Sequence, residues 1–177
     1  MSKSPIQFLF TNSNKIGSKI ISGVTREPEQ KMNEVPSHFS ILLWEWIVIE
    51  STLLWGVKPK LYSEFMEHNR ILAVFSTVGN AKDSAQIAKD FASKNHNARY
   101  DIAAALYLGF YELLNLYFGV RIPDKNRFDK SNEFFCNELF RAFYGGEVSM
   151  KHPNSLMREM MNDERFVCVL QTNQTKG

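Results

Sequence analysis

Two short runs decide the fold of this chain: PSHFSILL at positions 36–43 and IVIEST at positions 47–52. Both are rich in β-branched and aromatic residues, which favour strands. Only Trp44-Glu45-Trp46 separates them, so the pair predicts a β-hairpin that reverses near Glu45. Directly paired residues of neighbouring strands lie about 5 Å apart and diagonal ones about 7–8 Å apart. We therefore expect His38 and Glu50 within reach of an imidazole–carboxylate hydrogen bond.

A carboxylate beside an imidazole is a chemical signal as well as a structural one. It fixes the tautomer of the ring through one nitrogen and leaves the other nitrogen to serve a nucleophile. The alternative is purely structural. In that case His38 is a solvent-facing or satisfied histidine at the start of a strand, and Glu50 is an ordinary exposed strand residue.

The candidate nucleophile lies in FFCNELFRAF, positions 134–143, which places Cys136 at the predicted first turn of an amphipathic helix. Leu139, Phe140 and Phe143 follow it at helical spacing. The partial positive charge of a helix N-terminus lowers a thiol pKa from about 8.5 to roughly 3.5–7.5. A thiolate nucleophile is one interpretation of Cys136. The other is a small apolar residue in a core helix.

Several motifs, taken in order, resemble one enzyme family, the circularly permuted NlpC-type papain-like hydrolases. That group includes the bacterial YiiX-like proteins, relatives of lecithin–retinol acyltransferase and a poxvirus branch. In its members the histidine strand precedes the cysteine helix, the reverse of the order in papain. The resemblance extends from Ile6 to Leu170. The residues that carry it are Ser37–Ile41, Val48–Thr52, Gly56-Val57, Tyr100-Asp101, Phe135–Leu139, Pro153–Leu156 and Phe166–Leu170.

The resemblance implies a thiol hydrolase with Cys136 as nucleophile, His38 as general base and Glu50 as the group that orients the histidine. It implies cleavage of an amide, isopeptide or ester bond in a peptide or acyl substrate, through a thioester. No pair of Cys or His has zinc spacing, so neither a metal nor a cofactor is expected. The alternative for His38, Glu50 and Cys136 is a catalytic metal site, but the thiol hydrolase explains the same residues with fewer parts. Two departures stand out: Asn137 replaces a serine found in many members, and no Gly-Asp pair precedes the first strand. Some members only bind, so the alternative is a catalytically silent module that holds a peptide tail or acyl chain.

Composition points to one ordinary globular domain over residues 1–177. The chain carries a net charge of +2, so neither nucleic acid nor an anionic membrane is an expected partner. Two cysteines favour a reducing compartment, and no signal peptide is evident, which predicts a cytoplasmic protein. The apolar stretch from Ile102 to Gly119 contains Glu112 and Asn115, so it predicts a buried helix and not an integral membrane segment. Oligomeric state stays open.

The predicted architecture is α+β, a permuted papain-like fold with a small antiparallel sheet packed on the helix of Cys136. Besides the hairpin, we predict an edge strand near 5–11 and a further strand near 70–76. Predicted helices lie near 15–24, 61–67 and 80–95, with a further helix opening at Asp101, and an exposed loop covers 25–35. Cys168 is expected in the core, and His68, His96 and His152 in solvent.

Overall fold

The computed structural model describes residues 6–52, 56–77, 90, 102–121, 139–140 and 152–171. Within these ranges the protein is mixed α+β, with helices around a six-stranded antiparallel sheet. The strands are β1 (Gln7–Asn12), β2 (His38–Leu43), β3 (Ile47–Thr52), β4 (Gly56–Leu61), β5 (Arg70–Thr77) and β6 (Phe166–Gln171). The helices are α1 (Ile16–Thr25), α2 (Tyr62–Met66), α3 (Ile102–Phe118) and α4 (Pro153–Met161), with a 3₁₀ turn at Met32–Glu34.

The strands lie side by side in the order β4-β3-β2-β1-β5-β6. The predicted edge position of β1 is wrong, because β2 and β5 flank it on both sides. Phe8 and Phe10 are fully buried on one face of β1, and Leu9 is buried on the other. A strand that buries consecutive residues on both faces belongs in the interior of a sheet.

Strand β4 was not predicted from the sequence. It forms the edge of the sheet beside β3, and its middle residues are Lys58, Pro59 and Lys60. Proline and lysine weaken a strand pattern, yet both are suited to an edge because one side of the backbone needs no partner there. The neighbouring predictions, a helix near 61–67 and a strand near 70–76, are confirmed by α2 and β5.

The predicted hairpin is confirmed. Leu43 pairs with Ile47, Ser40 pairs with Glu50, and the Trp46 amide donates to the Leu43 carbonyl across 3.3 Å. Trp44 and Glu45 carry positive φ values of 51° and 66°. Two successive positive φ angles match the twist of a hairpin but favour Asn-Gly over larger residues. Trp44 packs against the core, whereas exposed Glu45 gains no burial in return.

Replacing Glu45 by glycine should stabilise the protein. Glycine removes a left-handed backbone penalty of about 1–2 kcal/mol and adds unfolded-chain entropy, so the free energy of unfolding should rise by about 0.5–1 kcal/mol. Chemical denaturation measures this difference. Glu64→Gly, at an exposed position in α2, is the matched control and should lower stability by about 1 kcal/mol. A destabilised Glu45→Gly variant would contradict the strained turn.

The sheet has two distinct faces. We call one the aromatic face: Phe8, Phe10 and Phe39 lie on it in one cluster with Leu139 and Phe140. The ring of Phe140 lies 5.3 Å from that of Phe8 and 5.8 Å from that of Phe39, centroid to centroid. Helix α4 packs on the same face through Leu156, Met157 and Met160.

We call the opposite side the α2 face, because Phe65 of α2 is fully buried against it. Leu9, Leu42 and Val48 lie beneath that ring. The helix has only five residues, so it covers a small part of the sheet. The polar residues of the hairpin therefore share this face with a compact apolar cluster.

Helix α4 begins with a histidine cap that the sequence did not indicate. Nδ1 of His152 accepts the Ser155 amide across 3.2 Å, and Nε2 lies 3.0 Å from the Ser155 hydroxyl. The expectation that His152 is solvent-exposed is wrong, because the residue is half-buried. Burial lowers the pKa of His152 to about 4, which keeps the ring neutral and Nδ1 able to accept.

Candidate functional site

His38 and Glu50 lie on the α2 face of neighbouring strands, as the sequence predicts. Glu50 is directly opposite Ser40 in the register and therefore diagonal to His38. His38 Nε2 is 3.1 Å from Glu50 Oε2, a hydrogen-bonding distance. The side chains are 20% and 9% exposed. Because little of either side chain is exposed, water competes weakly for the carboxylate, and the pair is held in one geometry.

A third charged residue, Lys60 of β4, completes this cluster. Its Nζ lies 3.2 Å from Glu50 Oε1, so the two carboxylate oxygens serve two different partners. Burial raises the pKa of Glu50, but the hydrogen bond and charge of His38, together with Lys60, outweigh it and leave that pKa below the usual 4.5. Sequence reasoning missed Lys60, because its strand was not recognised. The only signal was a Lys-Pro-Lys run shortly after IVIEST.

The start of β2, where His38 stands, is held by a buried amide on β1. Asn12 Nδ2 lies 2.7 Å from the Val35 carbonyl and 2.8 Å from the Met32 carbonyl. Ser22 of α1 also donates to the Val35 carbonyl, across 3.0 Å. These bonds fix the end of the connection that enters β2. Asn12 was not predicted from the sequence, since a single asparagine at a strand end is typical of any turn.

Two hydroxyls on the α2 face add unused hydrogen-bonding capacity. Thr11 is directly opposite His38 in the register, and Ser40 is directly opposite Glu50. Thr11 Oγ1 and Ser40 Oγ are both buried and have no hydrogen-bond partner among the residues that the structure describes. Buried polar atoms are nearly always satisfied in native proteins. The surroundings of His38 are therefore more polar than the ion pair alone indicates.

The position of Cys136 lies outside the described residues, and so does Asp101. The nearest described residues to the cysteine in sequence are Leu139 and Phe140, which pack on the aromatic face. His38 lies on the α2 face, where its ring is near that of Phe65. The next residue, Phe39, points to the aromatic face and packs against Phe140. Three residues from Leu139 span about 4.5 Å in a helix and at most about 11 Å extended. Among the described residues, the structure therefore brings two members of the predicted triad together, His38 and Glu50.

The second cysteine differs from its prediction. Cys168 was expected in the core, but it is exposed on the edge strand β6. Its thiol donates to the Leu170 carbonyl across 3.4 Å, and partial burial raises the pKa of that thiol. The alternation of Val167 and Val169 around it resembled a buried strand. Within the described ranges, no three His, Cys, Asp or Glu side chains are grouped closely enough to hold a metal ion.

No protein-family model, curated protein or solved structure matches this chain. Among the helices that the structure describes, none is both long and apolar enough to cross a membrane. The site must therefore be interpreted from its own residues and geometry.

Glu50→Gln should remove part of the acid sensitivity of the protein. A carboxyl whose pKa is lowered by folding contributes stability that is complete above its ordinary pKa and lost as the pH falls through the lowered value. At neutral pH the variant should lose about 1–3 kcal/mol, the usual contribution of hydrogen bonds to a charged group. Denaturant titrations at several pH values should show the wild type and the variant converging in acid.

The control for this experiment is Glu29→Gln, in the exposed connection before β2. It should leave the stability–pH curve parallel to that of the wild type. Parallel curves for Glu50→Gln as well would mean that the Glu50 contacts with His38 and Lys60 contribute nothing to folding.

Proposed function

We propose that this protein is a cysteine-dependent hydrolase or acyltransferase with a permuted papain-like fold. In this proposal Cys136 is the nucleophile, His38 is the general base and Glu50 orients the histidine. The observation that supports it best is the 3.1 Å contact between His38 Nε2 and Glu50 Oε2. A thiol hydrolase of this kind needs a carboxylate on one ring nitrogen and a second nitrogen directed to the thiol.

The identity of the bonded nitrogen gives each atom a role in the proposed mechanism. Because Glu50 engages Nε2, Nδ1 is the nitrogen that takes the proton from Cys136. The thiolate then attacks a carbonyl carbon, and backbone N–H groups at the start of the cysteine helix stabilise the oxyanion. The imidazolium returns its proton to the leaving amine or alcohol, which leaves a thioester on Cys136. Water or another acceptor then resolves the thioester.

In this scheme Lys60 lowers the basicity of Glu50, the residue that orients His38. A lone buried carboxylate would draw the imidazolium proton strongly, whereas a carboxylate shared with an ammonium group is a weaker base. The Lys60–Glu50 contact at 3.2 Å keeps Glu50 ionised and in place while His38 gains and loses its proton. The substrate class stays broad: an amide, an isopeptide or an ester, in a peptide or an acyl compound, within the cytoplasm.

The pH dependence of alkylation should identify Cys136 as an activated thiol. In a Cys168→Ser background, which removes the exposed second thiol, the iodoacetamide reaction of Cys136 should be nearly flat from about pH 6 upward. His38→Ala should restore a steep rise toward about pH 8.5, the pKa of a free cysteine. Mass spectrometry of the modified peptide measures both rates.

A Cys136 thiol that titrates like free cysteine while His38 is intact would contradict the proposed activation. The Cys168→Ser background matters here because its thiol is accessible, so the total rate of the wild type would mix two sites. Melting curves of both variants check that the fold survives.

Loss of His38 should impair turnover more than loss of Glu50. With a short-chain aryl ester as substrate, His38→Ala should lower kcat/KM by about 10²–10⁴-fold, the usual contribution of a general base. Glu50→Gln should cost less, because Gln can still hold Nε2 and the base itself remains. Equal losses in two variants that melt like the wild type would make Glu50 essential in its own right.

A second candidate is a non-catalytic module that holds a peptide tail or acyl chain. One observation favours it. Leu139 and Phe140 lie on the aromatic face, whereas His38 and Glu50 lie on the α2 face. If the cysteine stays with Leu139 on its own side of the sheet, the His38–Glu50–Lys60 cluster serves structure or binding only. Flat alkylation in the experiment above would rule this candidate out.

A further inference from the structure

Helix α3 is apolar along most of its length, and none of its side chains that the structure describes is buried. Its sequence is IAAALYLGFYELLNLYF, from Ile102 to Phe118. The sequence predicted a buried helix, and this prediction is wrong for the side chains that the structure describes. None of these is buried, and five large ones are between 46% and 77% exposed. They are Leu106, Phe110, Leu113, Tyr117 and Phe118.

Four of the five exposed side chains form a single stripe. Leu106, Phe110, Leu113 and Tyr117 follow one another at spacings of four, three and four residues. This is the spacing at which two helices pack along a shared seam. A helix of this length is about 25 Å long, enough for three turns of contact with a partner helix.

The exposed area is that of a protein interface. A fully exposed large side chain presents about 150–250 Å², so the four residues of the stripe together expose roughly 500 Å². The largest apolar patch on a typical monomer is about 300–600 Å². Two such stripes facing one another would bury about 1,000 Å², the smallest area expected of a biological protein–protein interface.

Gly109 is a separate indication of a close partner. It lies on the flank of the stripe, and a Cβ added to it would meet nothing within 4 Å. Glycine within a helix costs about 1 kcal/mol relative to alanine. Packing within the described part of the chain therefore does not require a glycine at position 109. A partner helix that approached closely at Gly109 would require one, because a side chain there would keep the two backbones apart.

The charge of α3 indicates whether its apolar partner is a membrane or a protein. Helices that lie on membranes usually carry lysine and arginine on their polar face. α3 contains neither, and its only ionisable acid is Glu112. We propose that α3 is a self-association surface, through which two copies of this chain pair about a two-fold axis near Gly109 and Leu113. A two-fold pair uses the same stripe on both copies, so it needs no second complementary surface.

Sedimentation velocity of the full chain over a range of concentrations tests this directly. We expect a monomer–dimer equilibrium with a dissociation constant on the order of micromolar or tighter. The double variant Phe110→Lys with Tyr117→Lys should raise this constant by at least about 100-fold, because it places charges in the seam. Met161→Lys, at an exposed apolar position on α4, is the matched control and should leave it unchanged.

Gly109→Ala provides a second, milder test. It should raise or preserve the melting temperature of the monomer and yet weaken the dimer about tenfold or more, since the methyl group enters the seam. A wild-type chain that stays monomeric throughout would overturn the proposal. So would co-sedimentation with vesicles of phosphatidylcholine and phosphatidylglycerol without self-association. An unchanged dimer in the double variant, or in Gly109→Ala, would overturn the placement of the seam.

Discussion

The constraint on which the rest of the structure depends is the unbroken register across β1, β2 and β3. The pairing of β1 with β2 runs without a shift from Gln7 to Thr11, and that of β2 with β3 from Ser40 to Leu43. Because side chains alternate along a strand, this register places the odd-numbered residues of β2 on one face of the sheet and the even-numbered ones on the other. Phe39 enters the aromatic face, and His38 enters the α2 face. A slip of one residue would exchange them.

That separation explains why a charged pair can persist beside a dense core. The aromatic face takes Phe8, Phe10 and Phe39 together with Leu139, Phe140 and helix α4, so it fills with apolar side chains. The described helix on the α2 face has five residues, and Glu50 lies on that face between His38 and Lys60. A buried carboxylate is costly unless both oxygens are satisfied, and here each oxygen has its own cationic or hydrogen-bonding partner.

The position of His38 at the end of a strand is held by a neighbouring strand. His38 is the first residue of its strand, and Asn12 fixes the connection that leads into it. The proposed hydrolase requires the Cys136 thiol within reach of His38, whereas the proposed binding module does not. Helix α3 raises a separate matter, because the side chains of its apolar stripe are exposed in the described part of the structure.

Local sequence determined the hairpin, the strands β1 and β5, the helices α1 and α2, and the proximity of His38 to Glu50. These follow from residue type and from a turn of three residues, both of which act over short distances. It did not determine the edge strand β4, the contact of Lys60 with Glu50, the exposure of Cys168 and α3, or the face on which Leu139 packs. Strand order and burial depend on which elements meet, and residues distant in the chain decide that. Alternation shows that a strand has two faces, but only the tertiary structure decides what covers each one.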